Sequence, residues 1–195
     1  MGHGAGAPRT GARASVGGTL PLFGASVPQA MEWCSDDWGT TEALMRPERE
    51  VFGGDPDLDP ATNGWAVSFR VVRAAKHYTK ADNGLAHKWA GRVHLNPPWS
   101  APEPFVDKAI GHFRRFEAET IMIVRHDHTT AWYRKAWKHA AVVALWSKRV
   151  AFRGPPGKDS KAPPLNVAIF GFLGPTKAAA FVDAYETRGH LVVGK

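Results

Sequence analysis

The chain has 195 residues, enough for one domain with a proper core and too few for two ordinary domains. It has 25 Lys and Arg against 18 Asp and Glu, and the formal net charge of +7 is compatible with a polyanionic partner. A single cysteine, Cys34, excludes an internal disulfide and a cysteine-based zinc cluster. No stretch approaches the roughly 20 apolar residues of a membrane span, so we expect a soluble, cytoplasmic protein.

The first 30 residues differ in composition from the rest of the chain. Residues 1–30 are dominated by Gly, Ala, Pro, Arg and Ser and show little apolar periodicity. Such a segment cannot bury enough apolar surface to become ordered, so we expect a disordered arm. From residue 31 to residue 195, apolar runs alternate with helical patterns, which predicts a single α/β domain built on a sheet.

The first predicted helix has an apolar face formed by Leu44, Met45, Val51 and Phe52. Thr40 or Thr41 would cap its start, Pro47 would kink or split it, and the glycines at 53 and 54 would end it. Short strands are predicted at residues 56–60 and 93–95, and each leads into a polar residue followed by proline.

The second half of the chain shows stronger patterns. A helix is predicted behind Ser100, with apolar residues from Phe105 to Phe116 that would pack on the sheet. Residues 120–124 form the clearest buried strand, which we expect at the centre of the sheet. The remaining predicted elements are a helix at 131–140, a strand at 142–146 continued at 150–152, a strand at 165–173 and a helix from 176 to 189. The tryptophans expected in the core are Trp132, Trp137 and Trp146.

The sharpest chemical signal is the tetrad Asn96-Pro97-Pro98-Trp99, directly after a predicted strand. The exocyclic amine of a nucleic-acid base is a poor nucleophile because its lone pair is delocalised into the ring. The Asn96 side-chain oxygen and the Pro97 carbonyl can accept hydrogen bonds from this amine and localise the lone pair. Proline holds the accepting carbonyl in place, and Trp99 offers a face for a base flipped out of a duplex. We interpret all four residues as catalytic, the alternative being a Pro-Pro turn with a core tryptophan.

Two further motifs carry carboxylates into predicted loops. Asp59 and Pro60 follow a strand at a junction where α/β sheets meet their ligands, and the carboxylate can pair with an ammonium group. Asp82 precedes Asn83-Gly84-Leu85 and would either contact a ligand or form a turn. Each motif alone is weak, because Asp, Pro and Gly are common in ordinary turns.

Six motifs occur in one order between Glu32 and Phe172. They are Trp38-Gly39-Thr40-Thr41, Leu58-Asp59-Pro60-Ala61, Asp82-Asn83-Gly84-Leu85, Trp89-Ala90-Gly91, Asn96-Pro97-Pro98-Trp99 and Lys148-Arg149-Val150-Ala151-Phe152. Together they resemble the phage DNA N6-adenine methyltransferase family, and their order is much more specific than any one of them. The resemblance implies a Rossmann-like class I methyltransferase fold, with a mixed, mostly parallel sheet and helices on both faces, that uses S-adenosyl-L-methionine.

The same resemblance implies roles for individual residues. The cofactor-binding residues would be Trp38, Thr40, Thr41, Asp59, Pro60, Asp82 and Asn96. The first three would line the methionine end of the cofactor, and the tetrad would hold the target base. The chain departs from the family pattern at Thr41, where relatives usually have Pro, and at Asn83, which interrupts Asp-Gly-Leu. It also carries Trp99 where Tyr is commoner.

Two polar loops are candidates for contact with DNA. The loop His126-Asp127-His128 follows the central predicted strand, where it would lie beside the tetrad. Three adjacent residues cannot easily face one ion, so we expect no metal there. The loop at 153–161 is basic and rich in Gly and Pro, although a solvated connection would also explain it. The nucleic-acid-binding candidates are Arg125, His126, His128, Arg153, Lys158 and Lys161.

The sequence therefore predicts methyl transfer from S-adenosyl-L-methionine to N6 of adenine in double-stranded DNA, by base flipping and direct in-line transfer. The alternatives are cytosine N4 in DNA, an RNA or protein-glutamine acceptor, and a DNA-binding remnant that has lost cofactor affinity. Retention of the whole tetrad argues against the remnant, and the basic charge argues mildly against a protein acceptor. We expect the host-cell cytoplasm if the protein is phage-encoded, and no oligomeric state or recognition sequence follows from the pattern.

Overall fold

The computed structural model describes residues 35–155 and 165–194, so the predicted arm at 1–30 lies outside the described residues. The strands are β1 Leu58–Asp59, β2 Lys76–His77, β3 Gly91–Leu95, β4 Ala118–Arg125, β5 Val142–Trp146, β6 Val167–Phe172 and β7 Gly189–Val193. The helices are α1 Glu42–Phe52, α2 Gly64–Ser68, α3 Glu103–Arg114, α4 Ala131–His139 and α5 Pro175–Tyr185. Within these described ranges, no helix is both long enough and apolar enough to span a bilayer.

All seven strands belong to one sheet, in the order β2-β1-β3-β4-β6-β5-β7. Neighbours from β2 to β4 pair in parallel, whereas β6 is antiparallel to both β4 and β5, and β7 is antiparallel to β5. The strands β1 to β5 therefore run in one direction, which confirms the mixed, mostly parallel sheet, and β4 lies at its centre as predicted. The ends of β1, β3 and β4 meet at one side, which we call the carboxyl edge.

Side chains of β4 alternate between two hydrophobic cores. Ile121 and Ile123 pack with α1 and α5 on one face, whereas Met122 and Val124 pack with α3 and α4 on the other. All four are at most 1% exposed. A strand covered on both faces needs such a continuous apolar run, so the predicted arrangement of helices on both faces is confirmed.

Helix α1 is continuous through Pro47, although the sequence predicted a kink or a split at this residue. Proline removes the hydrogen bond to the carbonyl four residues earlier, at Ala43. Ala43 is exposed in the first turn of the helix, where water can satisfy its carbonyl. The predicted split is therefore wrong, whereas Gly53 ends the helix as predicted, with a φ of 68°.

Three predictions for the second half are corrected. Phe116 does not belong to α3 but follows it at a φ of 55° and is 96% exposed. Residues 150–152 do not continue β5, because Val150 forms a single bridge with Leu165. The last helix ends at Tyr185, and Gly189 begins the unpredicted strand β7, which satisfies the otherwise open edge of β5.

The three tryptophans expected in the core lie at its margins. Trp132 and Trp146 are partly buried against the two cores, and Trp137 is 38% exposed. Trp137 lies on α4, where the helix face that is buried carries Tyr133 and Ala136 instead. The indole of Trp137 covers the edge of Phe170, with its ring 6.3 Å away.

Candidate active site

Three segments of the chain meet at the carboxyl edge of the sheet. They are residues 35–41 before α1, the loop that begins at Pro60 after β1, and the loop that begins at Asn96 after β3. Strands β1 and β3 are parallel neighbours, which brings their ends together. These segments hold the tetrad predicted to be catalytic and the predicted cofactor residues other than Asp82 and Asp59, and Asp59 ends β1 directly before the second segment.

Asn96 is held from two sides. Its Nδ2 donates to the Trp38 carbonyl at 3.4 Å, and its Oδ1 accepts a hydrogen bond from the Trp99 indole at 3.3 Å. The amide oxygen has two lone pairs, so one is left for a substrate donor. Trp99 is half-buried and packs edge-on against Phe152, with the ring centres 4.9 Å apart. Together with the buried Pro97, these contacts fix the tetrad without a substrate.

Asp36 fixes the far end of the tetrad, a contact that was not predicted from the sequence. Its two carboxylate oxygens accept hydrogen bonds from the Ser100 backbone N at 2.9 Å and from Ser100 Oγ at 2.5 Å. Asp36 lies two residues before Trp38, so one short segment binds both ends of the tetrad loop. The only sign of this contact in the sequence is the pair Asp36-Asp37, directly before the first motif.

The segment of the first motif packs against the residues that follow the second motif. Asn63, which follows the Asp59-Pro60 loop, donates from Nδ2 to the Asp37 carbonyl at 3.3 Å. A Cβ at Gly39 would lie 2.8 Å from the Trp65 ring, so glycine is required for this close approach. The segment before α1 and the loop after β1, which carry most of the residues predicted to bind a cofactor, are therefore in direct contact.

Asp59 is a buried carboxylate with few partners. It is 4% exposed, its Oδ1 accepts from the Ala61 backbone N at 3.2 Å, and His77 Nδ1 lies 3.8 Å from Oδ2. The hydroxyl of Thr41 and the indole N of Trp65 are buried and have no partner within 35–155 and 165–194. A buried carboxylate with few partners, together with buried donors that have none, suits a ligand that carries both an ammonium and a carboxylate.

Asp82 is engaged in its own turn. Its Oδ2 accepts hydrogen bonds from Thr79 N at 2.8 Å and Thr79 Oγ1 at 2.7 Å, and these bonds lower the pKa of Asp82. The inserted Asn83 takes a left-handed φ of 51°, and a Cβ on Gly84 would lie 1.9 Å from the Pro60 carbonyl oxygen. The third motif therefore supports the second through Gly84, while Asp82 itself is exposed.

A buried polar chain lies beneath these segments. His94 Nδ1 is 2.8 Å from Glu48 Oε2, and His94 Nε2 is 3.1 Å from Thr40 Oγ1. The exposed fractions of His94, Glu48 and Thr40 are 1%, 0% and 5%. Burial alone would lower the pKa of His94, but the neighbouring Glu48 and Asp59 outweigh it and raise that pKa. Burial also raises the pKa of Glu48, so the pair retains a proton.

The hydrogen bonds that join Glu48, His94 and Thr40 were not predicted, although the sequence contains a signal for them. Glu48 falls between Met45 and Val51 on the apolar face of α1, where a carboxylate needs a buried partner. His94 lies between Val93 and Leu95 in the buried half of β3. An acidic residue on the buried face of α1 and a histidine in the buried part of β3 together indicate that the two side chains pair.

The loop after β4 contains three predicted DNA-binding residues. Arg125 forms an ion pair with Asp127 at 3.5 Å, and the Tyr133 hydroxyl is hydrogen-bonded to His126 Nδ1 at 2.7 Å. The rings of His126 and His128 are 5.7 Å apart. No group of three or more His, Cys, Asp or Glu side chains suited to a metal ion occurs among the described residues.

Arg153 lies beside the first motif and not in an isolated loop. Its backbone pairs with Gly39 in both directions, at 2.7 and 2.9 Å. Its guanidinium lies 3.6 Å from the centre of the Phe69 ring. Lys158 and Lys161, predicted to contact DNA from the same loop, lie outside the described residues.

A cavity of about 600 Å³ lies at the opposite side of the sheet, which we call the amino edge. Its apolar lining includes Phe113, Phe116, Leu173 and Ala178, and no predicted site residue borders it. Ligands of α/β sheets bind at the carboxyl ends of the strands. We therefore assign the site by the donors and acceptors at the carboxyl edge and not by cavity size.

Comparison with known proteins gives consistent matches. A model of the family described as DNA N-6-adenine-methyltransferase (Dam) matches residues 29–169. The DNA N-6-adenine-methyltransferase of Escherichia phage T1 is 36% identical over 125 residues, which are 63% of this chain and 48% of that protein. The DNA N-6-adenine-methyltransferase of Haemophilus phage HP1 (strain HP1c1) is 26% identical over 119 residues, 60% of this chain and 66% of that protein. The chain thus spans about half the length of the phage T1 relative, and no solved structure matches it.

Proposed function

Because the chain belongs to the Dam family of DNA N-6-adenine-methyltransferases, we propose that it transfers a methyl group from S-adenosyl-L-methionine to N6 of adenine in double-stranded DNA. The observation that carries the proposal is the fixed orientation of Asn96 at the end of β3. Its amide is held by Trp38 and Trp99, and Oδ1 keeps a lone pair for a donor. An amino group of a base is such a donor.

The tetrad acts by orienting the amine of the target base. Asn96 Oδ1 and the Pro97 carbonyl accept its two hydrogens, which turns the nitrogen lone pair out of conjugation with the ring. The contacts of Asn96 and Trp99 are already made in the protein, so little reorganisation is needed when the base arrives. Trp99 provides an aromatic surface next to this position for a base that has left the duplex.

The residues that would hold the cofactor are Trp38, Thr40, Thr41, Asp59 and Pro60. S-adenosyl-L-methionine supplies an electrophilic methyl on a positive sulfur, next to an amino acid end with an ammonium and a carboxylate. The donor set fits this group, because Asp59 is a buried acceptor for the ammonium and Thr41 has an unpaired buried hydroxyl. Asp82 would act indirectly, through the turn that places Gly84 against Pro60.

The DNA would approach the carboxyl edge. Arg125 ends β4 there, His126 and His128 follow it, and the backbone of Arg153 pairs with Gly39 of the first motif. The net charge of +7 favours a polyanion. We place the activity in a single domain at 31–195 and in the cytoplasm, where bacterial and phage DNA lies.

The test is transfer of radiolabelled methyl from S-adenosyl-L-methionine to unmethylated duplex DNA, followed by separation of the nucleosides by mass spectrometry. We expect the label in N6-methyladenine, and DNA already methylated at that position should accept none. Label in N4-methylcytosine would replace adenine by cytosine as the target. Label only in RNA or protein, offered in parallel, would overturn DNA as the substrate.

A further inference from the structure

A chain of hydrogen bonds joins α1 to the first motif through β3. Glu48 Oε2 is bonded to His94 Nδ1 at 2.8 Å, and His94 Nε2 to Thr40 Oγ1 at 3.1 Å. We call these three residues the relay. None is more than 5% exposed, and the methyl-transfer chemistry described above uses neither Glu48 nor His94.

The relay joins the same two segments that Asn96 joins. His94 precedes Asn96 by two residues, so both side chains leave the chain on the same side of β3. Thr40 follows Trp38 by two residues, and the Trp38 carbonyl accepts the hydrogen bond from Asn96. The segment before α1 is therefore bonded at two points, through Thr40 to His94 in β3 and through Trp38 to Asn96 directly after β3.

A buried polar relay is an expensive way to connect two segments. Apolar side chains of similar volume would pack α1 on the sheet at no desolvation cost, as Leu44 and Val51 do in the core on the same face. Hydrogen bonds, in contrast, define the orientation of their end groups. The end group here is the hydroxyl of Thr40.

The proton held by the pair determines the direction of the last hydrogen bond. With the proton on His94, both ring nitrogens carry hydrogen; with it on Glu48, the carboxyl donates to Nδ1 and Nε2 carries hydrogen. In either case Nε2 donates to Thr40 Oγ1, and the hydroxyl hydrogen of Thr40 is left for another acceptor. Loss of the proton reverses the bond, because a neutral His94 that donates to Glu48 must accept from Thr40.

We propose that Glu48 and His94 are positioning residues that keep the hydroxyl hydrogen of Thr40 available to the carboxylate of S-adenosyl-L-methionine and hold the segment before α1 against Asn96. This inference rests on the proposed function, because it assigns the carboxylate of that cofactor as the acceptor. The Thr40 hydroxyl has no other hydrogen-bond partner in residues 35–155 and 165–194.

The pH dependence that follows has a definite sign. The groups that face His94 are Glu48 and Arg49 from α1 and Asp59 from β1, and Tyr185 from α5 faces Glu48. Because the pKa of His94 is raised, the relay keeps its proton through neutral pH and loses it only as the pH rises further. Cofactor affinity should therefore fall on the alkaline side.

The experiment measures the affinity for S-adenosylhomocysteine, which has the same amino acid end, by calorimetry across neutral and alkaline pH. Thr40→Val removes the hydroxyl at nearly constant volume, and we expect about tenfold weaker binding without an alkaline fall. Thr40→Ser restores the hydroxyl and should bind within about twofold of the wild type. Glu48→Gln removes the charge that raises the pKa of His94 and should move the alkaline fall to lower pH.

Glu117→Gln is the matched control, since Glu117 bonds to His112 at 2.6 Å away from the proposed site. It should keep the wild-type profile. Binding by Thr40→Val within about twofold of the wild type would overturn the inference, as would an unchanged pH profile in folded Glu48→Gln. If Glu48→Gln does not fold, the two Thr40 variants decide. A wild-type protein that neither binds the ligand nor methylates DNA would overturn the proposed function and the inference with it.

Discussion

Two histidine–glutamate pairs lie at opposite edges of the sheet and respond to their surroundings in opposite ways. At the carboxyl edge, Glu48 raises the pKa of His94 against the effect of burial. At the amino edge, burial lowers the pKa of His112; Glu117 opposes this effect, but Arg115 and Lys108 add to it and the pKa stays lowered. The first pair therefore holds a proton that the second pair gives up, although both are bonded at less than 3 Å.

The difference extends to the rest of each edge. Charges at the amino edge are neutralised locally, as in the ion pairs Arg92–Asp57 and Lys177–Glu119. At the carboxyl edge, Thr41 Oγ1 and Trp65 Nε1 are buried without a partner among the described residues. Unpaired polar groups cost stability and persist where a ligand satisfies them. The comparison teaches that the cavity lies at an edge whose charged side chains pair with one another, whereas Thr41 and Trp65 keep unpaired buried donors at the edge proposed as active.

The largest expected effect is that of Asn96→Ala. It removes the side-chain oxygen of Asn96, which Trp38 and Trp99 hold in place. Turnover should therefore fall by about 300-fold with little change in cofactor affinity. Single-turnover methylation and calorimetry measure the two quantities. Thr176→Ala, which removes an exposed polar side chain near the start of α5 at the amino edge, is the control and should be fully active. Near-normal turnover in Asn96→Ala would refute the catalytic role of the tetrad.

The two histidines should differ in stability and in the sign of its pH dependence. His94→Gln leaves Glu48 buried without its partner and should cost about 3 kcal/mol of unfolding free energy, against about 1 kcal/mol for His112→Gln. A raised pKa stabilises the fold at low pH, so the deficit of His94→Gln should shrink as the pH rises. A lowered pKa has the opposite sign, so the deficit of His112→Gln should shrink in acid. Denaturant titrations at several pH values measure both, and parallel profiles would contradict the assignment.

A smaller effect is expected from Asp59→Asn. Loss of the buried negative charge should weaken S-adenosyl-L-methionine binding by about tenfold, because an amide pairs less well with an ammonium group. Asp57→Asn is the matched control two residues earlier, where the carboxylate bonds to Arg92. It should lower the unfolding temperature and leave cofactor affinity unchanged. Equal affinity losses in the two variants would show that Asp59 acts through the fold.

The smallest effect belongs to the amino edge. Phe116 is 96% exposed at a φ of 55°, a conformation that disfavours any residue with a Cβ. Phe116→Gly should raise the unfolding free energy by up to about 1 kcal/mol and leave methylation unchanged. A thermal melt and the methylation assay test this together. A clear loss of stability would mean that the ring packs against the cavity more than its exposure indicates.

Much of the fold could be predicted because its signals are local. The buried run at 120–124 and the turn after Leu95 depend on neighbouring residues alone, and both were confirmed. The family predicted from six motifs is confirmed as well. Strand β7 was missed because Gly189–Val193 is paired with β5, a contact across more than 40 residues that no local pattern records.

The site was predicted as a set of motifs but not as an arrangement. The order of the motifs indicated Asn96 and Asp59, whereas the bond from Asp36 to Ser100 depends on how two loops pack. His94 looked like an ordinary strand residue because its partner Glu48 lies 46 positions away. Their pairing follows only when α1 is placed over β3.

The position of β6 has a consequence for how the chain is made. β6 inserts between β4 and β5, although both are synthesised earlier. Until Val167–Phe172 leaves the ribosome, β4 presents an unpaired row of backbone groups flanked by apolar side chains. A nascent chain halted before this strand contains the whole tetrad and its supporting loops but has an open sheet edge, and such edges aggregate. The last 29 residues therefore contain the strand that closes the edge left open by the first 166.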